Sequence, residues 1–235
     1  MENNVSLSSI YNRKIIMEIR FEANPIVIDT RGKLAKLLQT ENLIANAKWE
    51  LGNGDLRIVD DLNPENSRQV IYVDSQRFTV MCSNNQTTDS FLNIVNKAFK
   101  IFKDTIGEIV ITRIGCRVLG TYKTKSSEYS KVVSNFKALF PSQILLEEFV
   151  VKDLRLQLIY QNGQYNIGPI SKDDNYLKNE FRFDDVVKGV GFAIDTDNYI
   201  LKSQEKQNIN EQSIKDVYLT SLSVEKSLFD KLSTI

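Results

Sequence analysis

Glu18, Arg20 and Glu22 stand two apart in the stretch EIRFE, Arg113 and Arg117 four apart in ITRIGCRVLG, and Asp195 and Asp197 two apart in AIDTD; Arg155 lies in DLRLQL. Spacings of two and four place side chains on one face of a β-strand. Guanidinium and carboxylate groups so arranged can do two things. Arginine beside carboxylate on neighbouring strands forms forked pairs, and the same planar fork recognises the carboxylate or phosphate of a ligand. Alternatively, Glu18, Asp195 and Asp197 supply three oxygen ligands for Mg²⁺, the requirement of a nuclease-like hydrolase. The chain has no histidine, which excludes Ser-His-Asp and Cys-His catalysis and imidazole-bound zinc within it. Its two cysteines, Cys82 and Cys116, fall in apolar strand patterns and read as buried, inert thiols. Neither GNG at 52–54 nor GVG at 189–191 opens a helix as a phosphate loop must, so no cofactor is expected.

Lys plus Arg and Asp plus Glu number 30 each, and this balance argues against a strongly basic nucleic-acid binder. Local basic groups exist: Lys97, Lys100 and Lys103 share a helical segment, and Lys123 and Lys125 follow the second arginine strand. Tyr122 is the one aromatic placed to stack a base there, a poor platform alone. No window approaches the roughly 18 apolar residues of a membrane helix. The opening MENNVSLSSIYNRK lacks a basic start followed by an apolar run, so the cytoplasm is the expected compartment.

The elements that must position these groups follow from hydrophobic period. Residues 14–22 alternate, with Ile15, Met17, Ile19 and Phe21 on one face and the charges on the other. Residues 33–44 read as a short helix, 47–61 as a hairpin about Gly-Asn-Gly, and 68–73 with 77–82 as a second hairpin. Residues 87–106 form a helix striped by Phe91, Ile94, Val95, Ala98, Phe99 and Phe102 and stopped by Gly107. The order then restarts: strand 108–123, helix 126–140, strands 144–152, 154–160 and 164–167, a long loop over 171–188, strand 190–196, and a helix over 211–233. The chain is thus expected to be one α+β domain of two pseudo-repeats, about 10–107 and 108–235. Together they form one curved antiparallel sheet with helices on one face, as in TATA-box-binding-protein-like folds. That analogy carries no DNA binding with it.

Alternation assigns the faces. Ile114, Cys116, Phe192 and Ile194 belong under the helices, with Phe99, Phe102, Leu222 and Phe229 above them. In 154–160 the apolar face is Leu154, Leu156, Leu158 and Tyr160. The other side gathers Glu18, Arg20, Glu22, Arg113, Arg117, Arg155, Asp195 and Asp197, with Gly115, Gly191 and Ala193 leaving room among them.

IIMEIRFEANPI near the N-terminus, VITRIGCRVLG in the centre and VGFAIDTDNY late in the chain, with the terminal helix ending SLFDKLST, resemble a sporadically distributed bacterial family of uncharacterised proteins. Its members carry strands like EAxFEIRF, RIGLRYIN and LDID. This chain departs from the pattern at Pro25, which follows the first strand instead of preceding it, and at Val118 and Leu119, where the family has tyrosine and its successors. The resemblance covers nearly the whole chain. Its patchy distribution implies a mobile or defence-associated gene, and implies no activity.

The residues therefore point to a non-catalytic binding or regulatory protein working through the polar open face, and the resemblance implies a subunit of a phage-defence or toxin–antitoxin-like system. The expected partner is a protein or a second copy of the chain, with no membrane involved. The alternative is the Mg²⁺-dependent enzyme. The hairpin through Trp49 is expected near a sheet edge, where strands pair with other chains.

Overall fold

The computed structural model describes residues 5–60, 69–83, 88–139, 154–172, 174–181, 189–202 and 211–234. The expected strand over 144–152 lies outside them. The elements run β1 (Ile10–Phe21), α1 (Ile26–Thr40), β2 (Ala47–Leu51), β3 (Leu56–Asp60), β4 (Gln69–Val73), β5 (Arg77–Ser83) and α2 (Thr88–Ile106). They continue β6 (Ile111–Lys123), α3 (Tyr129–Ala138), β7 (Leu156–Tyr160), β8 (Gly163–Ile170), α4 (Asn175–Phe181), β9 (Gly191–Leu201) and α5 (Glu211–Leu232). The protein is α+β, with an open antiparallel sheet ordered β2-β3-β4-β5-β1-β6-β9-β8-β7. The first strand of each expected repeat, β1 and β6, lie side by side, each flanked by the last strand of its own repeat, β5 or β9. Among the described residues no helix is long and apolar enough to cross a membrane.

Two compact units contain these elements: Lys14–Arg117 with Asn198–Leu219, and Met1–Arg13 with Val118–Asp197 and Thr220–Ile235. The long strands β1, β6 and β9 and helix α5 contribute residues to both, so the units do not divide at a single point in sequence.

In the first unit, period two does what it promised. Met17, Ile19, Phe78, Val80 and Ile71 are buried, and α2 lays its stripe on them. Phe99 and Phe102 meet the Phe78 ring at 5.3 Å each, and Phe21 meets Phe102 at 5.4 Å. Ile114 and Cys116 are fully buried, as alternation required. Helix α1 begins earlier than expected. Asn24 Oδ1 accepts the Ile26 amide at 3.0 Å just past the strand, and Pro25 takes the N-cap position, where its missing N–H costs nothing. The segment 41–44, expected to be helical, follows its end.

In the second unit the main cluster joins Tyr122, Phe136, Ile167, Phe192, Ile194 and Leu232. Phe192 meets the ring of Phe229 at 6.0 Å, the pairing expected for that helix. The expected loop over 171–188 instead contains α4. Asp174 caps it: Oδ1 accepts the Leu177 amide at 3.1 Å and its carbonyl takes the Lys178 amide. Leu177 and Phe181 of α4 close a smaller apolar cluster with Leu119 and Ile170, packed by Tyr11 and Ala193. Leu177 and Phe181, the two α4 residues in this cluster, are too few to show a helical stripe amid polar sequence, so composition reads as loop. The even face of β7 was expected to be covered, yet Leu158 and Tyr160 are exposed. β7 ends the sheet among the described strands, and alternation reports a face without reporting whether anything lies on it.

Candidate functional site

The polar face of the Lys14–Arg117 unit is built by register. Glu18 and Arg20 on β1 stand opposite Thr79 and Arg77 on β5; Thr79 stands opposite Tyr72 on β4, and Tyr72 opposite Arg57 on β3. These residues share one side of the sheet because their partners Ile19, Phe78, Ile71 and Ile58 fill the core on the other.

Two arginines converge on one carboxylate. Glu18 Oε1 accepts Arg113 Nη1 at 2.8 Å and Arg20 Nε at 2.6 Å. The Arg113 guanidinium also lies over the Tyr199 ring, 4.8 Å from its centroid. Gly115 makes this posture possible, because a Cβ there would sit 3.1 Å from Arg113 Cζ. Mid-strand glycine is thus explained by the arginine two residues before it. Arg113 and Glu18 are mostly buried and fixed, whereas the Arg20 side chain is half exposed.

Two hairpin turns complete the face. In the β4–β5 turn, Asp74 Oδ1 accepts the Gln76 amide at 2.8 Å and Oδ2 accepts Arg77 Nε at 2.9 Å and the Tyr72 hydroxyl at 3.1 Å. Burial pushes the Asp74 carboxyl up, but these donors outweigh it and leave it below its ordinary value. The hydrogen bond from Arg77 to Asp74 raises Arg77 in turn. In the β2–β3 turn, Arg57 donates to Asp55 Oδ2 at 3.2 Å. A Cβ on Gly52 would lie 1.9 Å from Asp55 Oδ1, so the first glycine of GNG houses that carboxylate. Arg57 and Arg77 both lie over the Tyr72 ring, at 5.6 and 5.4 Å.

Between the two turns opens a concavity of about 790 Å³, walled by Arg20, Tyr72, Asp74, Arg77, Gly54 and Thr112 among others. Arg20 and Arg77 face each other directly across β1 and β5. Like charges directly opposite on a sheet repel, and each is drawn off to its own carboxylate. Among the described residues the terminal nitrogens of Arg20 have no hydrogen-bond partner, and Arg77 turns only Nε and Nη2 to Asp74 and Tyr72. Several N–H donors of two guanidinium forks therefore stand at one opening.

The remaining sequence candidates are placed differently. Arg117 is half-buried on β6 in the same unit. Arg155, Asp195 and Asp197 belong to the other unit. There Arg155 binds Asp174, the cap of α4, a structural task. Asp195 is buried and receives Asn166 Nδ2 at 3.5 Å; Asp197 is half-buried on β9. No group of three His, Cys, Asp or Glu side chains among the described residues could hold a metal, so Glu18, Asp195 and Asp197 do not make the trio that the enzyme alternative requires. Tyr122, the proposed base platform, is fully buried. Lys123 donates to the Ser8 carbonyl, and Lys100 pairs with Asp104 at 2.5 Å.

Sequence reasoning missed one polar cluster in the second unit. Glu225, fully buried on α5, accepts both Arg13 and the Tyr122 hydroxyl. Burial raises the Glu225 carboxyl, opposed by the Arg13 charge and the two hydrogen bonds; Tyr122 is raised well above its ordinary value, again by burial first. Closed to solvent, this cluster positions helix on sheet and offers nothing to a substrate. Its signal was present: Glu225 stands three after Leu222 and four before Phe229, inside the apolar stripe.

No known protein family matches the chain, and no curated protein matches it.

Proposed function

We propose that this chain is a non-catalytic binding protein that holds an acidic, extended segment of a protein partner in the concavity between the two hairpin turns. The observation that carries the reading is the opposed pair Arg20–Arg77, whose outward N–H groups stand together at an opening. A carboxylate placed between them relieves their mutual repulsion and accepts charge-assisted bonds from both. The face around it is nearly neutral, since Glu18 holds Arg20 and Arg113, Asp74 holds Arg77 and Asp55 holds Arg57. Such a surface suits a chain of mixed polarity with spaced carboxylates better than a polyanion such as nucleic acid, which favours an unbalanced basic patch. Nothing in the arrangement pairs a nucleophile with a base. In this role the chain serves as a subunit or regulator of a larger assembly, as the resemblance implies.

Display of random peptides tests it. The wild type enriches sequences with Asp or Glu at alternate positions, and Arg20→Ala/Arg77→Ala loses that enrichment while melting within a few degrees of the wild type. Equal enrichment by the variant, or none by the wild type, refutes the reading.

A further inference from the structure

Among the described strands the sheet ends at β2, whose outer residues are open: Trp49 is 51% and Leu51 48% exposed. The hydrogen bond from the Gly52 amide to the Asp55 carbonyl, 3.0 Å, sets the parity of the β2–β3 ladder. With Glu50 opposite Arg57 and Lys48 opposite Val59, the backbone groups of those residues turn to β3. Those of Ala47, Trp49 and Leu51 turn to the open edge. The edge is held in place, since Arg31 of α1 donates to the Gly52 carbonyl at 2.7 Å.

The sequence of this edge, Ala47-Lys48-Trp49-Glu50-Leu51, is antisymmetric in charge about Trp49. We infer that β2 pairs antiparallel with β2 of a second copy of this chain, about a twofold axis through Trp49. That register places Lys48 of each copy opposite Glu50 of the other, twice, on one face. Trp49 meets its own counterpart and Ala47 meets Leu51 on the other face, which covers the exposed apolar groups. The parity also agrees: the outward backbone groups of 47, 49 and 51 become the bonded pairs, and 48 opposite 50 becomes the non-bonded pair, whose side chains approach more closely. A twofold interface demands such self-complementarity, and a one-residue shift would set Lys48 against Trp49 and lose it. The other terminal strand, β7, is more exposed, with Ile159 at 80%, but LQLIY carries no charge to set a register. This inference is independent of the binding face, because the two use different residues.

Sedimentation of the full chain over roughly 1 to 100 µM, a range that captures weak dimers, tests it. The wild type dimerises reversibly. Glu50→Lys and Lys48→Glu each turn both cross-pairs repulsive and weaken the dimer at least about tenfold. Lys48→Glu/Glu50→Lys restores the complement and recovers affinity to within about threefold. Oxidation of Trp49→Cys yields a covalent dimer, uncontested by Cys82 and Cys116, which are buried. A monomer throughout the range overturns the inference. So do single reversals without effect, a double variant that fails to recover, or a dimer broken instead by Ile159→Lys on β7.

Discussion

Replacing Glu225 by leucine should reveal what the hidden polar cluster does. The side chain of Glu225 is inaccessible, and that of its partner Arg13 is only 11% exposed. Leucine leaves the guanidinium in a nearly closed site without its carboxylate, a change that costs about 3–5 kcal/mol when one partner of a buried pair is removed. The Tyr122 hydroxyl also loses its acceptor, worth about 1–3 kcal/mol when stranded. The two losses overlap, so the expected total is about 4 kcal/mol. In a chain of this size that lowers the melting midpoint by about 8–16 °C. Arg13→Met/Glu225→Leu removes both charges together. It should recover most of the loss, leaving chiefly the stranded hydroxyl, and adding Tyr122→Phe should recover that too. Thermal melts followed by circular dichroism, with urea midpoints as a second reading, complete the cycle. A Glu225→Leu protein within about 0.5 kcal/mol of the wild type would refute the reasoning. So would a double variant less stable than the single one.

Ile114 is fully buried, and Ile114→Asp should cost about 4 kcal/mol, or the folded state altogether, because the carboxylate has no partner there; a soluble variant melting normally would contradict the face assignment. Because burial raises Glu225 above its ordinary 4.5, its contribution is fully present below that value and is lost as pH rises through the folded value. The stability of the wild type relative to Glu225→Gln should therefore fall as pH rises above 4.5, and a flat or rising difference would be inconsistent with it. Burial pushes the Cys82 thiol up to about 12, so alkylating reagents at neutral pH should leave it untouched until the protein unfolds; labelling read by mass spectrometry checks this.

Long alternating stretches were legible in the sequence. β1 carries an apolar face from Ile15 to Phe21, β6 one from Ile114 to Val118, β9 the pair Phe192 and Ile194, and α2 a long stripe, so these elements were marked by local pattern. The hairpin glycines located the β2–β3 turn and the edge near Trp49. Short elements were not legible, because α4 spans only seven residues and its helical stripe is too brief to stand out. The cluster of Glu18, Arg20 and Arg113 was foreseeable from the alternation within each strand once β1 and β6 are taken as neighbours, since all three lie opposite their strands' apolar faces. Tyr72, Asp74 and Arg77 were not, because their meeting depends on the β4–β5 turn and on which strand pairs with β1. Glu225 was overlooked for a different reason. A carboxylate within an apolar stripe reads as an interruption until the partner that neutralises it, Arg13, more than two hundred residues away, is known.

The binding claim rests on Arg20 and Arg77 acting together. The direct measurement is a titration of arginine-labelled protein with an acidic peptide, following each arginine Nε–Hε signal by NMR. Binding at the proposed face shifts Arg20 and Arg77 first and by the most, leaves Arg13 and Arg155 in place, and weakens as salt is raised. Unmoved Arg20 and Arg77 signals at saturating peptide, or shifts centred on Arg155, would contradict the account.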